Sequence, residues 1–247
     1  IQGTLPTNQE LLDWLAVDFM ENGWDVKAML KKMVMSATYQ QSSRATNERL
    51  EIDKRNLYLA RGPRVRLAAE VIRDQALVVS GLMNDRIFGL PVYPPSPVKH
   101  VASAFTGGMT WVENKDADRY RRAVYTYLKR SSPHPLFETF DMASRDVCNL
   151  RRLRTNTPLQ SFMTLNDPVF IEAAQALARK MLLQSGGDPE QAIRHGLETA
   201  LNQPAETATV ATLEKLYRET LADYQKDAAS ARLMAGADQI HFSPEVT

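Results

Sequence analysis

Asp167-Pro168-Val169-Phe170-Ile171-Glu172-Ala173-Ala174-Gln175-Ala176-Leu177-Ala178-Arg179-Lys180-Met181-Leu182 reads as one amphipathic helix with both ends marked. Asp167 can accept an orphan amide, and Pro168 fills the first helical position, where no N–H is needed. Val169, Phe170, Ala173, Ala174, Leu177, Ala178, Met181 and Leu182 recur at helical spacing, and Gly186-Gly187 closes the run. The spacing places Phe170, Ala174, Leu177 and Met181 in the core. Thr157-Pro158 uses the same starting device ten residues earlier. Glu190 to Leu201 and Thr207 to Ala229 give two more amphipathic helices, so helices fill the span 157–229.

The N-terminal side reads similarly. Thr7 and Glu10 form a capping-box pair before Leu11, Leu12, Leu15, Ala16 and Phe19. Gly23 sits at a left-handed C-cap, and Asp25 can start a second helix carrying Val26, Met29, Leu30, Met33 and Val34. A helical hairpin over 7–40 follows. Residues 47–61 read as a weakly patterned helix. After Gly62-Pro63 a long helix is expected over 64–81, with Val65, Leu67, Ala68, Val71, Ile72, Ala76, Leu77 and Val79 as its apolar positions.

Residues 89–98 break this pattern. Four prolines there exclude a regular helix or a central strand and predict an extended surface loop. Val98–Phe105 and Met109–Glu113, flanking Thr106-Gly107-Gly108, predict a hairpin. Val124–Leu128 reads as a third strand and Leu136–Phe140 as a fourth. The expected fold is mainly α: one compact domain over 1–247, with the Pro-rich loop and a β element over 89–140, its strands at about 98–140.

The 247 residues are 44% hydrophobic and 24% charged, ordinary values for a globular chain. No apolar run reaches the ~18–20 residues of a spanning helix. Cys148 is the single cysteine, so an intrachain disulfide, a multi-cysteine zinc site and a C-x-x-C-H haem attachment are excluded. His100, His134, His195 and His241 are too far apart for a local metal motif and read as surface or turn residues. No metal site or cofactor is expected in this chain. P-loop, G-x-S-x-G and G-x-G-x-x-G patterns do not occur.

Charge is unevenly spread. Residues 119–154 hold nine Lys or Arg against three acids, a net +6 on a chain of net +1. Eight of the nine are Arg, which forms the bidentate pairs with carboxylate, sulfate and phosphate that Lys cannot. One reading is an anion-binding surface made of Arg119, Tyr120, Arg122, Arg130, Arg145, Arg152, Arg154 and Asn156. The other is an internal ion-pair network, for which the rest of the chain supplies the matching negative charge. The aromatics Trp111, Tyr120, Tyr125 and Tyr127 fit either a sugar site or a face buried against helices. Nucleic acid is disfavoured by the near-zero net charge.

The segments Glu10-Leu11-Leu12-Asp13-Trp14-Leu15-Ala16, Ser36-Ala37-Thr38-Tyr39-Gln40-Gln41-Ser42-Ser43, Asp118-Arg119-Tyr120-Arg121-Arg122, Arg145-Asp146-Val147-Cys148, Arg152-Leu153-Arg154-Thr155-Asn156-Thr157-Pro158-Leu159-Gln160 and Leu165-Asn166-Asp167-Pro168 occur in this order. Together they resemble the planctomycete-associated family of domains of unknown function numbered fifteen fifty-three, over essentially the whole chain. The resemblance implies a C-terminal domain of a large exported bacterial protein, acting in the periplasm or at the cell surface. It implies partner domains upstream in the same polypeptide, with any haem in an upstream cytochrome c domain. The chain is then expected to be a fragment without its signal peptide. Members of that family commonly carry His where this sequence has Asn8. The expected function is a recognition or scaffolding module, for a polyanionic polysaccharide or for neighbouring domains. The alternative is a hydrolase or lyase on such a polymer, holding substrate anions with the Arg-rich segment.

Overall fold

The computed structural model describes residues 5–97, 100–101, 109–145, 148–149 and 152–236. The chain divides into two compact units, Ile1–Arg66 and Leu67–Thr247. The protein is mainly α, with ten α-helices among the described residues. None of them is long and apolar enough to cross a membrane.

The first unit holds the expected hairpin, α1 (Gln9–Glu21) and α2 (Val26–Met35). Its cap is Asn8 rather than Thr7: the Asn8 side chain accepts the Leu11 amide at 2.9 Å. Asn caps at least as well as Thr, so the helix starts one residue later than the Thr7–Glu10 pattern suggests. Gly23 and Trp24 both adopt positive φ in the turn, and Asp25 accepts the Ala28 amide to start α2. Helix α3 covers only Asn47–Ile52 of the expected 47–61 span. The cause is Asp53, whose carboxylate accepts the amides of Leu57 at 2.8 Å and Tyr58 at 3.0 Å. Side-chain capture of these amides competes with helix propagation, and 53–61 folds as a loop.

The second unit opens with α4 (Ala69–Ser80), shorter than the expected 64–81 and closed by Gly81 at φ 81°. Its buried face is Ala69, Arg73, Leu77 and Ser80. Val71, one of the expected apolar positions, faces outward instead. Helix α5 (Pro135–Thr139) is followed by α6 (Pro158–Asn166), α7 (Pro168–Gln184), α8 (Pro189–Leu201), α9 (Thr207–Tyr224) and α10 (Ala228–Ala235). Helix α7 packs on α4, α6 and α8, and α9 packs on α8. The expected 207–229 helix is two, because Asp227 accepts the amides of Ala229 and Ser230 and starts α10. The buried face of α7 is Val169, Ala173 and Ala176; Ala174 is exposed, contrary to its expected core position. A cluster of Ala69, Ala123, Leu136, Phe137 and Phe140 forms the core, with Ile72, Met142, Met163 and Phe170 packed against it.

Among the described residues the β element is smaller than expected. Strands β1 (His100–Val101) and β2 (Met109–Thr110) pair antiparallel, His100 opposite Thr110; the expected turn 106–108 lies outside the described residues. The third strand is not formed. Ala123–Tyr125 make a 3-10 turn, and Thr126 makes a single bridge to Val92. Val92 donates to the Tyr125 carbonyl at 2.8 Å and accepts from Tyr127 at 2.9 Å, but Pro91, Pro94 and Pro95 have no N–H to extend a ladder. The fourth strand is α5, because Pro135 takes the first helical position and His134 caps it.

The Pro-rich stretch is not a surface loop: Val92, Pro94, Pro95 and Ser96 are buried. Burial is tolerable because prolines bring no donors and the carbonyls find partners. Tyr93 accepts from the Asn114 amide, Pro94 from Trp111 Nε1 at 2.8 Å, and Pro95 from His134.

Candidate functional site

The Arg-rich segment lies around α4 and the start of α7. Its hub is Arg73, which the charge count of 119–154 does not include. Arg73 is 1% exposed and donates to the carbonyls of Arg121 at 2.6 Å and Arg119 at 2.8 Å. These carbonyls end the short 3-10 helix Ala117–Tyr120, where a cation is favoured. Burial pushes Arg73 down to about 10, so it stays charged, in the field of Asp74 and Asp167. Asp167 is equally buried. One of its oxygens accepts the Val169 amide at 2.9 Å, as a cap of α7, while Oδ2 has no protein partner. Burial pushes this carboxyl up to about 6, against the opposing pull of the Val169 amide and Arg73.

Around this hub the predicted site residues separate. Arg119 pairs with Glu172 of α7, with both side chains largely buried. Burial pushes the Glu172 carboxyl up, and Glu113 adds to the rise; Arg119 and Tyr120 oppose it. Burial also raises the Tyr120 hydroxyl. Arg122 pairs with Asp74 at 3.2 Å, while the other Asp74 oxygen accepts the Ala123 amide at 2.6 Å. Arg152 pairs with Glu70 at 2.7 Å. Burial raises Glu70, but Arg152 and the more distant Arg145 outweigh it and leave the carboxyl below its ordinary value. Arg130, Arg154 and Asn156 are exposed, and the structure does not bring them into this group; Arg145 is exposed too, but its charge acts on Glu70. Arg151 lies outside the described residues.

Arg121 was not among the predicted site residues, yet it is fully buried. Its guanidinium donates to the carbonyls of Arg86, Leu90 and Phe88, the last at 2.5 Å, and stacks 3.9 Å from the Tyr125 ring centroid. It thereby clamps the 86–90 loop, where Phe88 and Gly89 both have positive φ. The Tyr125 hydroxyl accepts the Phe88 amide at 2.9 Å.

His134 is buried rather than superficial. Its Nδ1 accepts the Leu136 amide, which leaves Nε2 to donate to the Pro95 carbonyl at 3.1 Å. Burial pushes it down to about 4, so it is neutral at physiological pH. Trp111 and Phe137 pack on its ring, and Tyr93 links Trp111 to Tyr127.

The Arg-Thr-Asn-Thr-Pro-Leu-Gln segment ties two loops to α6. Thr155 donates from its amide and hydroxyl to Asp141, at 2.7 and 2.9 Å. Gln160, 4% exposed, accepts the Thr157 amide and donates to the Thr139 carbonyl and the Thr155 hydroxyl. The acids and hub missed in the sequence had one signal. Glu70, Arg73 and Asp74 stand at helical spacing within a run read only for its apolar residues, so they share one face of α4.

The arrangement joins α4, α7 and the 117–126 segment through charges that are buried at Arg73 and Asp167, largely buried at Arg119 and Glu172, and partly solvated at Arg122 and Arg152. Among the described residues no three His, Cys, Asp or Glu side chains gather as a metal cage. No curated protein and no solved structure matches the chain. A family profile described as "Protein of unknown function (DUF1553)" matches residues 1–217, so the chain belongs to that family, PSD1.

Proposed function

We propose that the chain is a scaffolding module that seats neighbouring protein domains on its helical hairpin. One observation carries this reading: neither α1 nor α2 contains a buried residue. Leu12, Trp14, Met20, Leu30 and Val34 are each about half exposed or somewhat less, although the hairpin is amphipathic. Apolar faces of this extent mark interaction surfaces. The ion-paired framework of the second unit suits the same role, since it spends Arg119, Arg122 and Arg152 internally and leaves fewer guanidinium groups for a polymer. The partner fitted to the hairpin is an apolar face of an adjacent domain of the same exported polypeptide. Hydrogen exchange of α1 and α2, with Trp14 fluorescence, measured in this chain alone and in the whole parent polypeptide, tests it. Protection and a blue-shifted Trp14 in the parent are expected. Equal exchange and an unchanged spectrum would defeat the reading.

A second reading rests on Glu172, a carboxyl raised by burial beside Tyr120 and in the field of Glu113. A raised carboxyl is the feature a general acid requires. As a hydrolase of anionic polysaccharide, the protein would release reducing ends from such a polymer and Glu172→Gln would abolish the release. No release by the unaltered chain would end this reading.

A further inference from the structure

The first unit contains a second basic site, unrelated to the Arg-rich segment and to the α1–α2 surface. Residues 41–65 fold back on themselves. Gln41 donates to the Leu59 carbonyl at 3.1 Å, and the Gly62 amide donates to the Ser42 carbonyl at 3.1 Å. A Cβ on Gly62 would lie 2.6 Å from the Gln41 carbonyl oxygen, so the two backbones cross where only glycine fits. The 53–61 loop is stitched internally. Asp53 holds the amides of Leu57 and Tyr58, and Asn56 exchanges hydrogen bonds with the backbone of Arg61 at 2.8 and 3.3 Å.

This stitching encloses a cleft of about 710 Å³. Arg44, Lys54, Arg55, Arg61 and Arg64 line it, and none of its lining side chains is a carboxylate. Asp53 is nearby but spent. Burial pushes its carboxyl up, and the Tyr58 and Leu57 amides with the charge of Arg61 outweigh that and hold it below its ordinary value. Arg61 donates through Nη2 to the Lys54 carbonyl at 3.1 Å, while its Nη1 is buried with no acceptor. A buried charged donor with no acceptor is costly. Lys54, Arg55 and Arg64 make no ion pair among the described residues. The fold therefore sets the Lys54, Arg55 and Arg64 cations, none of them ion-paired, on a pre-shaped concave surface beside the open Nη1 donor of Arg61.

We infer that this cleft binds a small multivalent oxyanion, a molecule presenting two or three phosphate, sulfate or carboxylate groups. The guanidinium fork fits all three groups. The volume lies within the ~300–1,000 Å³ of small-ligand sites. The apolar walls are Ala45, Leu50, Pro63 and Val65, and with Ser43, Asn56 and Gly62 they offer no aromatic ring on which a base could stack, which disfavours a nucleic-acid strand.

Calorimetric titration of the chain at low salt tests this with three probes: tripolyphosphate, a trisulfated disaccharide, and a single-stranded oligonucleotide. One-to-one binding of tripolyphosphate or the disaccharide is expected, with affinity falling steeply as salt rises. Arg55→Gln/Arg64→Gln should weaken it at least tenfold and flatten the salt dependence. Arg130→Gln/Arg154→Gln, exposed in the other unit, should leave it unchanged. Lys54→Gln/Arg64→Gln provides a second cleft variant, and circular dichroism confirms that each variant is folded. Absence of binding by both small probes would overturn the inference. So would equal affinity of the folded cleft variants, or a stronger response to the oligonucleotide than to either small anion. These outcomes are independent of the hairpin protection that tests the scaffolding role.

Discussion

Asp167→Asn should stabilise the protein, and more so as pH rises. Asp167 caps α7 through one oxygen, and Asn retains an oxygen for the Val169 amide. The other oxygen is buried and unpartnered, so the ionised carboxylate is poorly housed despite the field of Arg73. A carboxyl raised from 3.8 to about 6 favours the protonated native state by about 3 kcal/mol. Because the folded value is the higher one, that stabilisation is complete below 3.8 and is lost as pH rises through about 6. The variant has nothing to ionise. Its advantage over the parent should therefore grow from about 1 kcal/mol at pH 4.5 to about 3 kcal/mol at pH 8. Urea unfolding of both proteins at half-unit pH intervals measures this, since subtracting one curve from the other cancels every other titrating group. A pH-independent difference, or destabilisation at pH 8, would refute the reasoning. It would show that the charge attraction of Arg73 outweighs the burial of Asp167.

Three further outcomes follow from the same framework. Arg121→Met should cost about 3–5 kcal/mol by leaving the carbonyls of Arg86, Phe88 and Leu90 without their donor, and limited proteolysis should then cut near Phe88-Gly89. Gln160→Ala removes the bonds to Thr157, Thr139 and Thr155, for a loss of about 2–3 kcal/mol in chemical denaturation. Arg152→Gln should cost under about 1 kcal/mol, because its pair with Glu70 is partly solvated; a loss of several kcal/mol in the same assay would contradict that.

Several helix starts and stops were legible in the sequence because their signals are local, although equally local ones at Asn8, Asp53, Pro135 and Asp227 went unread. Asp25, Pro158, Asp167-Pro168 and Gly81 act through atoms within four residues of themselves, so their effect is legible without tertiary context. Family membership was legible in the same way, from contiguous segments. The sequence also showed that charge is concentrated in residues 119–154. It did not show where that charge is spent, because Glu70, Asp74 and Glu172 lie 48 to 82 residues from their respective partners Arg152, Arg122 and Arg119. Only the tertiary structure decided that the buried stripe of α4 centres on Arg73. An arginine inside a helix face reads as exposed until the carbonyls of residues 119 and 121 are placed against it. It likewise decided that Val124–Leu128 is no strand, since a strand needs a partner and the one available is interrupted by prolines. The cleft at residues 43–65 escaped for a related reason. Its cations are scattered along the chain among Glu48, Glu51 and Asp53, and they converge only because Asp53 and Gly62 fold the backbone over itself.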